Sequence, residues 1–142
     1  MNQRLIRVLL TIISIAGTVL STYILTISSC DSTGCDFNVL FSCSEVLCSS
    51  YSQFMGIPVA ALGLIWFTIA TGLSAASFKM SIKRIIFLSW ATIGVLTIPL
   101  FVYAEFQIGA ICLLCTSAHI FGLTFLGLTL FYKNIISQDL NL

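Results

Sequence analysis

The sequence predicts an all-α membrane protein: a bundle of four transmembrane helices with a long extracytoplasmic loop that carries a short surface helix. Of its 142 residues, 58% are hydrophobic and only 8% are charged, whereas an ordinary soluble domain carries about 25% charged residues. A water-covered surface is therefore excluded. The net charge of +1 provides no basic field for nucleic acid. The chain also has six cysteines, which is unusual for its length and points to thiol chemistry.

Charge-free runs define the helices. They cover residues 8–29, 57–78, 85–104 and 106–132. A helix that crosses the hydrocarbon core needs about 20 mostly apolar residues, and all of these runs reach that length. Membrane β-strands would alternate in polarity over about ten residues, and no such pattern occurs. We therefore expect one membrane domain over 1–142, with helices at about 5–28, 57–78, 85–104 and 108–132 and an outer loop at 29–56.

The basic residues set the orientation. With alternating crossings they all fall on one side: Arg4, Arg7, Lys79, Lys83, Arg84 and Lys133. The positive-inside rule assigns that side to the cytoplasm. The opposite side holds Asp31, Asp36, Glu45 and Glu105, while Asp139 is cytoplasmic. The chain is thus expected in the cell inner or plasma membrane, with both termini cytoplasmic and the cysteines outside.

The first apolar run has a second interpretation, a cleaved signal peptide. Arg4 and Arg7 precede it, and Ile27-Ser28-Ser29-Cys30 resembles a lipoprotein cleavage box. Since the run is longer than the roughly 7–15 residues of a signal h-region, a retained helix is favoured.

Proline and mixed polarity mark the remaining elements. Residues 37–47 mix apolar and polar side chains and predict the short surface helix. Pro58 suits the first turn of the second membrane helix. Pro99 lies inside the third and is expected to kink it.

The cysteines all lie on the oxidising side, where disulfides persist. The outer loop holds Cys30, Cys35, Cys43 and Cys48, and Cys112-Leu113-Leu114-Cys115 opens the last helix. Structural staples suit loop cysteines, but a C-x-x-C at a helix start staples nothing distant. A zinc site would need four ligands, which Cys112 and Cys115 could form with two loop cysteines or His119. His119 lies deeper in the membrane and the loop spacing resembles no zinc ribbon, so no metal is expected.

A thiol relay explains both groups of cysteines. A helix N-terminus lowers the pKa of a leading cysteine such as Cys112, which favours a redox-active pair. Cys35 and Cys43 are eight residues apart, and a connection of that length reaches at most about 27 Å. A loop cysteine can thus visit both the membrane pair and an external partner by disulfide exchange. The final acceptor must be reachable from Cys115 inside the bundle, and a lipid-soluble quinone suits that position.

The order of these motifs resembles the vitamin K epoxide reductase family, in particular its bacterial disulfide-forming homologues. The resemblance rests on the loop pair, the run CSEVLCSSY at 43–51, the Gly56-Ile57-Pro58 tripeptide and the C-x-x-C of the fourth helix, and it covers nearly the whole chain. The DsbB family also has four helices and two cysteine pairs. Its C-x-x-C lies in the first outer loop, so the order favours the first family.

The resemblance implies a role for each relay cysteine. Cys115 would exchange electrons with the quinone, of menaquinone, ubiquinone or vitamin K type. Cys112 would exchange disulfides with Cys43, and Cys35 would face a separate periplasmic or extracellular thioredoxin-like protein, since only residues 133–142 follow the last helix.

Two polar residues are implied to contact the quinone beside Cys115. Ser49 matches a serine that the family keeps near the site. His119 stands one helical turn beyond Cys115, where animal members place a quinone-binding tyrosine. Val59 and Ala60 occupy the region where some relatives carry a quinone-binding asparagine.

Cys30 and Cys48 depart from the family pattern. Because they flank the loop pair, a second disulfide between them is the favoured arrangement, although six cysteines allow 15 pairings and one of the two could join the relay.

The predicted function is a quinone-dependent thiol oxidoreductase that generates protein disulfides and is able in principle to reduce vitamin K quinone or epoxide. The alternative is a non-enzymatic membrane assembly or transport module whose loop is stapled by disulfides.

Overall fold

Helices dominate the fold, as predicted. The computed structural model describes residues 3–27, 35–76 and 80–139. The elements are α1 (Gln3–Ile27), α2 (Cys43–Leu47), a 3₁₀ turn (Ser50–Ser52), β1 (Gln53–Phe54), β2 (Ile57–Pro58), α3 (Val59–Ala75), α4 (Met80–Ile108) and α5 (Leu113–Asp139). The prediction of an all-α membrane protein is confirmed.

Three of the described helices are long and apolar enough to cross a membrane. Their spans are Arg4–Ile27, Ile85–Ile108 and Leu113–Phe131. Only 11% of the apolar window of α4 is buried within the protein, so its apolar side chains face outward, as lipid requires. α3 is also apolar but has 17 residues. The chain is an integral membrane protein, and the fourth crossing stays a prediction.

The helix α4 extends beyond the charge-free run at 85–104 at both ends. A charged residue interrupts an apolar run without interrupting backbone hydrogen bonds, so the helix includes Glu105 in its last turn. The helix also continues through Pro99. It stops at Gly109, whose φ of 77° is the left-handed conformation that glycine adopts readily at a helix C-terminus. The Gly109 N–H donates to the Glu105 carbonyl at 3.0 Å.

The outer loop contains less helix than the expected 37–47. Within residues 37–47, the helix covers Cys43–Leu47 alone, and both of its end residues are buried rather than on the surface. The Asn38 side-chain oxygen accepts from the backbone N–H groups of Leu40 and Phe41, at 2.9 Å each. Such side-chain bonds compete with helix formation, so residues 37–41 form a turn.

A small β-hairpin precedes α3, and it was not predicted from the sequence. Gln53 pairs with Pro58 and Phe54 with Ile57. Met55 and Gly56 form the two-residue turn with φ values of 54° and 81°. Positive φ at both positions is the geometry of a type I′ turn, whose twist suits a hairpin.

The bundle packs through close helix approaches. α1 packs on α3 and α5, and α4 packs mainly on α5. An added Cβ at Gly17 would collide with the Phe67 ring, and one at Gly94 would meet the Trp66 indole. Small residues at helix contacts are typical of membrane bundles, where packing replaces the hydrophobic driving force. One cluster, which we call the aromatic cluster, is built on the buried residues Ile6, Leu10, Ala70, Phe87, Ala91 and Phe125, with Trp66 and Trp90 packed against it.

Candidate functional site

A second buried cluster collects the cysteines that the sequence singled out. Its buried members are Ile24, Cys43, Leu47 and Cys112, with Cys35 and Cys115 partly buried against them. We call it the cysteine cluster. The outer loop contributes one cysteine pair and the start of α5 contributes the other, so the fold brings together two pairs about 70 residues apart in sequence.

The loop pair is oxidised. Cys35 and Cys43 form a disulfide with a Cα–Cα distance of 5.8 Å, within the usual range. The Asp36 carboxylate holds the chain between them: its Oδ1 accepts from the Ser42 hydroxyl and from the Ser44 N–H, both at 3.0 Å. Asp36 therefore stabilises the loop that presents the disulfide.

The C-x-x-C pair is reduced, and its first cysteine caps α5. The Cys115 backbone N–H donates to the Cys112 sulfur at 3.2 Å, which is the bond that a capping side chain accepts from the third helical residue. Both Cys112 and Cys115 are free thiols, the first fully buried. The N-terminal end of the helix dipole favours negative charge at this sulfur.

The capping position changes the acidity of Cys112. The pKa of the Cys112 thiol is lowered, chiefly because the Cys115 side chain donates a hydrogen bond to it, while burial and the Glu105 charge act in the opposite direction. A thiolate, not a thiol, is the nucleophile in disulfide exchange. Cys112 is thus the member of its pair suited to thiol–disulfide exchange, either as the attacking thiolate or as the thiolate that leaves.

A hydrogen bond between backbone groups joins the two cysteine regions. The Ile111 N–H, one residue before Cys112, donates to the Leu40 carbonyl at 2.7 Å. Leu40 lies in the turn between Cys35 and Cys43. The loop is therefore attached directly to the start of the C-x-x-C.

A cavity of about 650 Å³ opens beside Cys115. Its walls are largely apolar and include Trp66 and Phe101, and its polar side chains include Ser49 and His119. An apolar cavity with a few convergent polar groups is typical of a small-molecule site. A quinone, a flat apolar ring with two carbonyl oxygens, suits this combination, since apolar walls would hold the ring and polar side chains would hydrogen-bond its oxygens.

The structure places both predicted quinone contacts on this cavity. His119 is half-buried, and its ring stacks on Phe101 with centroids 5.9 Å apart and planes 5° from parallel. Ser49 donates its hydroxyl to the Val46 carbonyl at 2.8 Å, which leaves its oxygen free to accept. Val59 and Ala60 also line the cavity and offer no side-chain amide there.

Glu105 belongs to the site, although it was not predicted there from the sequence. Its side chain lines the same cavity, and its Oε1 accepts from the Cys112 N–H at 3.3 Å. The signal was present, since Glu105 separates two long apolar runs and precedes the C-x-x-C by seven residues.

The structure describes one of the two cysteines of the predicted Cys30–Cys48 disulfide. Cys48 is a disulfide cysteine. Cys30 lies outside the described residues, so this pairing stays a prediction. Within residues 3–27, 35–76 and 80–139, no three His, Cys, Asp or Glu side chains are grouped to hold a metal ion.

An apolar helical bundle, two adjoining cysteine pairs and a cavity that reaches one of them define a membrane thiol oxidoreductase. The family model described as the vitamin K epoxide reductase family matches residues 7–130, and the chain belongs to that family. Membership implies an oxidoreductase that uses a quinone and a thioredoxin-like partner. No curated protein sequence matches the chain closely enough to name as a relative.

Proposed function

We propose that the protein is a quinone-dependent thiol oxidase that generates protein disulfides. Electrons pass from a separate reduced thioredoxin-like protein to the Cys35–Cys43 disulfide, then to the Cys112–Cys115 pair, and finally to a membrane quinone in the cavity. Each exchange proceeds by thiolate attack through a mixed disulfide. The quinone accepts two electrons and two protons when it is reduced.

The cysteine cluster is the observation that carries this proposal. Cys43 and Cys112 are both fully buried in it, so they can exchange disulfides shielded from solvent. Cys35 is less buried than Cys43, which suits it to meet an external thiol. Cys115 lies on the cavity wall whereas Cys112 does not, which suits Cys115 to face the electron acceptor.

The orientation belongs to the same proposal. The charge distribution supports cytoplasmic termini and extracytoplasmic cysteines. Reporter domains fused to each terminus, active only in the cytoplasm, should both be active. An inactive reporter at either end contradicts this topology.

The test follows quinol formation by the protein in lipid nanodiscs, with a reduced thioredoxin-like protein as donor and ubiquinone-1 or menadione as acceptor. Cys43→Ala should stop electron flow from the donor protein, because the loop pair is broken. The same variant reduced with dithiothreitol should still reduce one equivalent of quinone, because its C-x-x-C is intact. Cys112→Ser should fail in both assays.

Two outcomes contradict the proposal. One is wild-type electron flow from the donor in Cys43→Ala; the other is a Cys112→Ser variant that still forms quinol. The exchange step is checked separately in a Cys35→Ser/Cys115→Ser double variant. We expect peptide mass spectrometry to find a Cys43–Cys112 disulfide there, and its absence after oxidation contradicts the relay order.

A further inference from the structure

The carboxyl group of Glu105 lies where the redox chemistry would take place. It sits in the last turn of α4 and is only 9% exposed. Its Oε1 accepts from the backbone N–H of Cys112, and the side chain lines the cavity together with Cys115 and His119. A buried acidic side chain is costly in a membrane protein and is by default a functional candidate.

Oxidation of the C-x-x-C pair releases protons as well as electrons. Two S–H bonds break at Cys112 and Cys115, and one S–S bond forms. Two electrons and two protons are released, and a quinone takes up both to become a quinol. A carboxylate beside the pair can accept one thiol proton and give it up again when the quinol forms.

We propose that Glu105 is the proton-accepting residue of this site, which takes one proton from the Cys112–Cys115 dithiol and passes it towards the quinone oxygens. The inference rests on the function proposed above. The hydrogen bond from the Cys112 N–H positions the carboxyl group at the thiol pair, and the cavity gives it access to the acceptor.

The other titratable groups around this position suit the role less well. Those on the cavity wall or at the pair are Tyr51, Cys112, Cys115 and His119. The two cysteines are the proton donors. His119 stacks on Phe101 one turn further along α5, where it can serve the quinone oxygen instead. Tyr51 belongs to the 3₁₀ turn of the loop, and its side chain is exposed.

The first experiment measures single-turnover quinol formation by dithiothreitol-reduced protein with ubiquinone-1. Glu105→Gln keeps an oxygen that accepts from the Cys112 N–H but cannot take a proton. We expect its rate to fall about 100-fold at neutral pH, the lower end of the usual contribution of acid–base groups. The difference in rate between the wild type and Glu105→Gln should shrink as the pH falls and the wild-type carboxylate becomes protonated. If Glu105 only positioned Cys112, the ratio of the wild-type rate to the Glu105→Gln rate would be near one at every pH.

The second experiment omits the quinone. Thiolate absorbance at about 240 nm is followed in the reduced protein as the pH is raised. The negative charge of Glu105 raises the pKa of the Cys112 thiol, so Glu105→Gln should form thiolate at lower pH than the wild type. The variant should therefore have more thiolate and yet react more slowly with quinone. A thiolate titration unchanged in Glu105→Gln overturns the proposed proximity.

Matched variants separate this inference from folding and from the proposed function. Glu105→Asp should recover part of the rate, and Glu45→Gln, an exposed acidic residue outside the cavity, should change neither readout. Equal thermal unfolding of Glu105→Gln and wild type excludes a folding defect. A wild type that forms no quinol refutes the proposed function. A wild type that forms quinol, with Glu105→Gln equally fast at every pH, refutes only the role of Glu105.

Discussion

The two buried clusters of the bundle differ in what fills them. The aromatic cluster holds interlocking rings: Trp66 lies edge-on to Phe125 with centroids 5.5 Å apart, and Phe87 lies 6.0 Å from Phe125. The cysteine cluster is built on sulfur and aliphatic side chains beside a cavity of about 650 Å³. Trp66 contacts both regions, since it packs on the aromatic cluster and lines the cavity.

This contrast indicates a division of labour within one small bundle. In lipid, helix association depends on close packing, because burying apolar surface adds little. The aromatic cluster provides that packing through rings and small residues. This packing lies near one end of the bundle, and the other end holds the cavity and the reactive thiols. Substitutions in the first cluster should therefore change stability, and substitutions in the second should change activity.

The largest difference between the effect on activity and the effect on stability is expected from Cys115→Ala. Without the Cys115 sulfur no Cys112–Cys115 disulfide can form, so quinol formation in the nanodisc assay should be abolished. Thermal unfolding should hardly change, because the side chain is small and only partly buried. A large loss of stability in Cys115→Ala would mean that the cysteine cluster also holds the bundle together.

Phe125→Ala is expected to lower stability and to leave activity unchanged. The Phe125 ring is fully buried and contacts Trp66 and Phe87, so its removal leaves a cavity that should cost about 3–5 kcal/mol in the free energy of unfolding. Denaturant unfolding in detergent measures the loss, with the exposed Phe131→Ala as control. The single-turnover rate per folded molecule should match the wild type, and a matching fall in that rate would contradict the division.

A smaller effect is expected from Trp90→Phe. The indole N–H of Trp90 donates to the Trp66 carbonyl at 3.2 Å, and the Trp66 indole returns a bond of equal length to the Trp90 carbonyl. Removing one donor should cost about 1 kcal/mol in the same unfolding measurement. Trp66→Phe should cost a similar amount but should also alter the affinity for ubiquinone-1, since only Trp66 lines the cavity. Equal affinities for ubiquinone-1 in the two variants would contradict the assignment of Trp66 alone to the quinone cavity.

The smallest effect concerns the acidity of Cys112. The hydrogen bond from the Cys115 side chain is the main cause that lowers the pKa of the Cys112 thiol. Cys115→Ala should therefore raise that pKa, so that thiolate absorbance appears at higher pH. Cys115→Ser retains a donor and should lie closer to the wild type. Identical titrations of the Ala and Ser variants would show that the side-chain bond does not control this thiol.

The sequence predicted the helices better than it predicted their ends. Apolar runs record where the chain meets lipid, so α1, α4 and α5 were expected. A charge stops such a run but not a helix, and α4 therefore extends to Ile108 past Glu105. The hairpin at Gln53–Phe54 was missed because two paired residues leave no alternating pattern.

Spacing along the chain identified the C-x-x-C but not its surroundings. The motif indicated that Cys112 lies at the start of the last helix, but that helix begins at Leu113 rather than at about 108, and Cys112 is therefore its cap. The cavity wall at Glu105 depends on how the end of α4 lies against the start of α5, which is a property of packing. An isolated carboxylate near a predicted membrane boundary looks like an ordinary solvated charge until that packing is known.

The hydrogen bond from Ile111 to the Leu40 carbonyl has a kinetic consequence. The Cys43–Cys112 exchange is intramolecular, and this bond holds the loop beside the pair with which it is proposed to react, which raises the effective molarity of the exchange. Its rate then depends on neither the protein concentration nor the viscosity of the surrounding lipid. Only the encounters with the thioredoxin-like protein and with the quinone remain bimolecular, and throughput should respond to the abundance of those two alone.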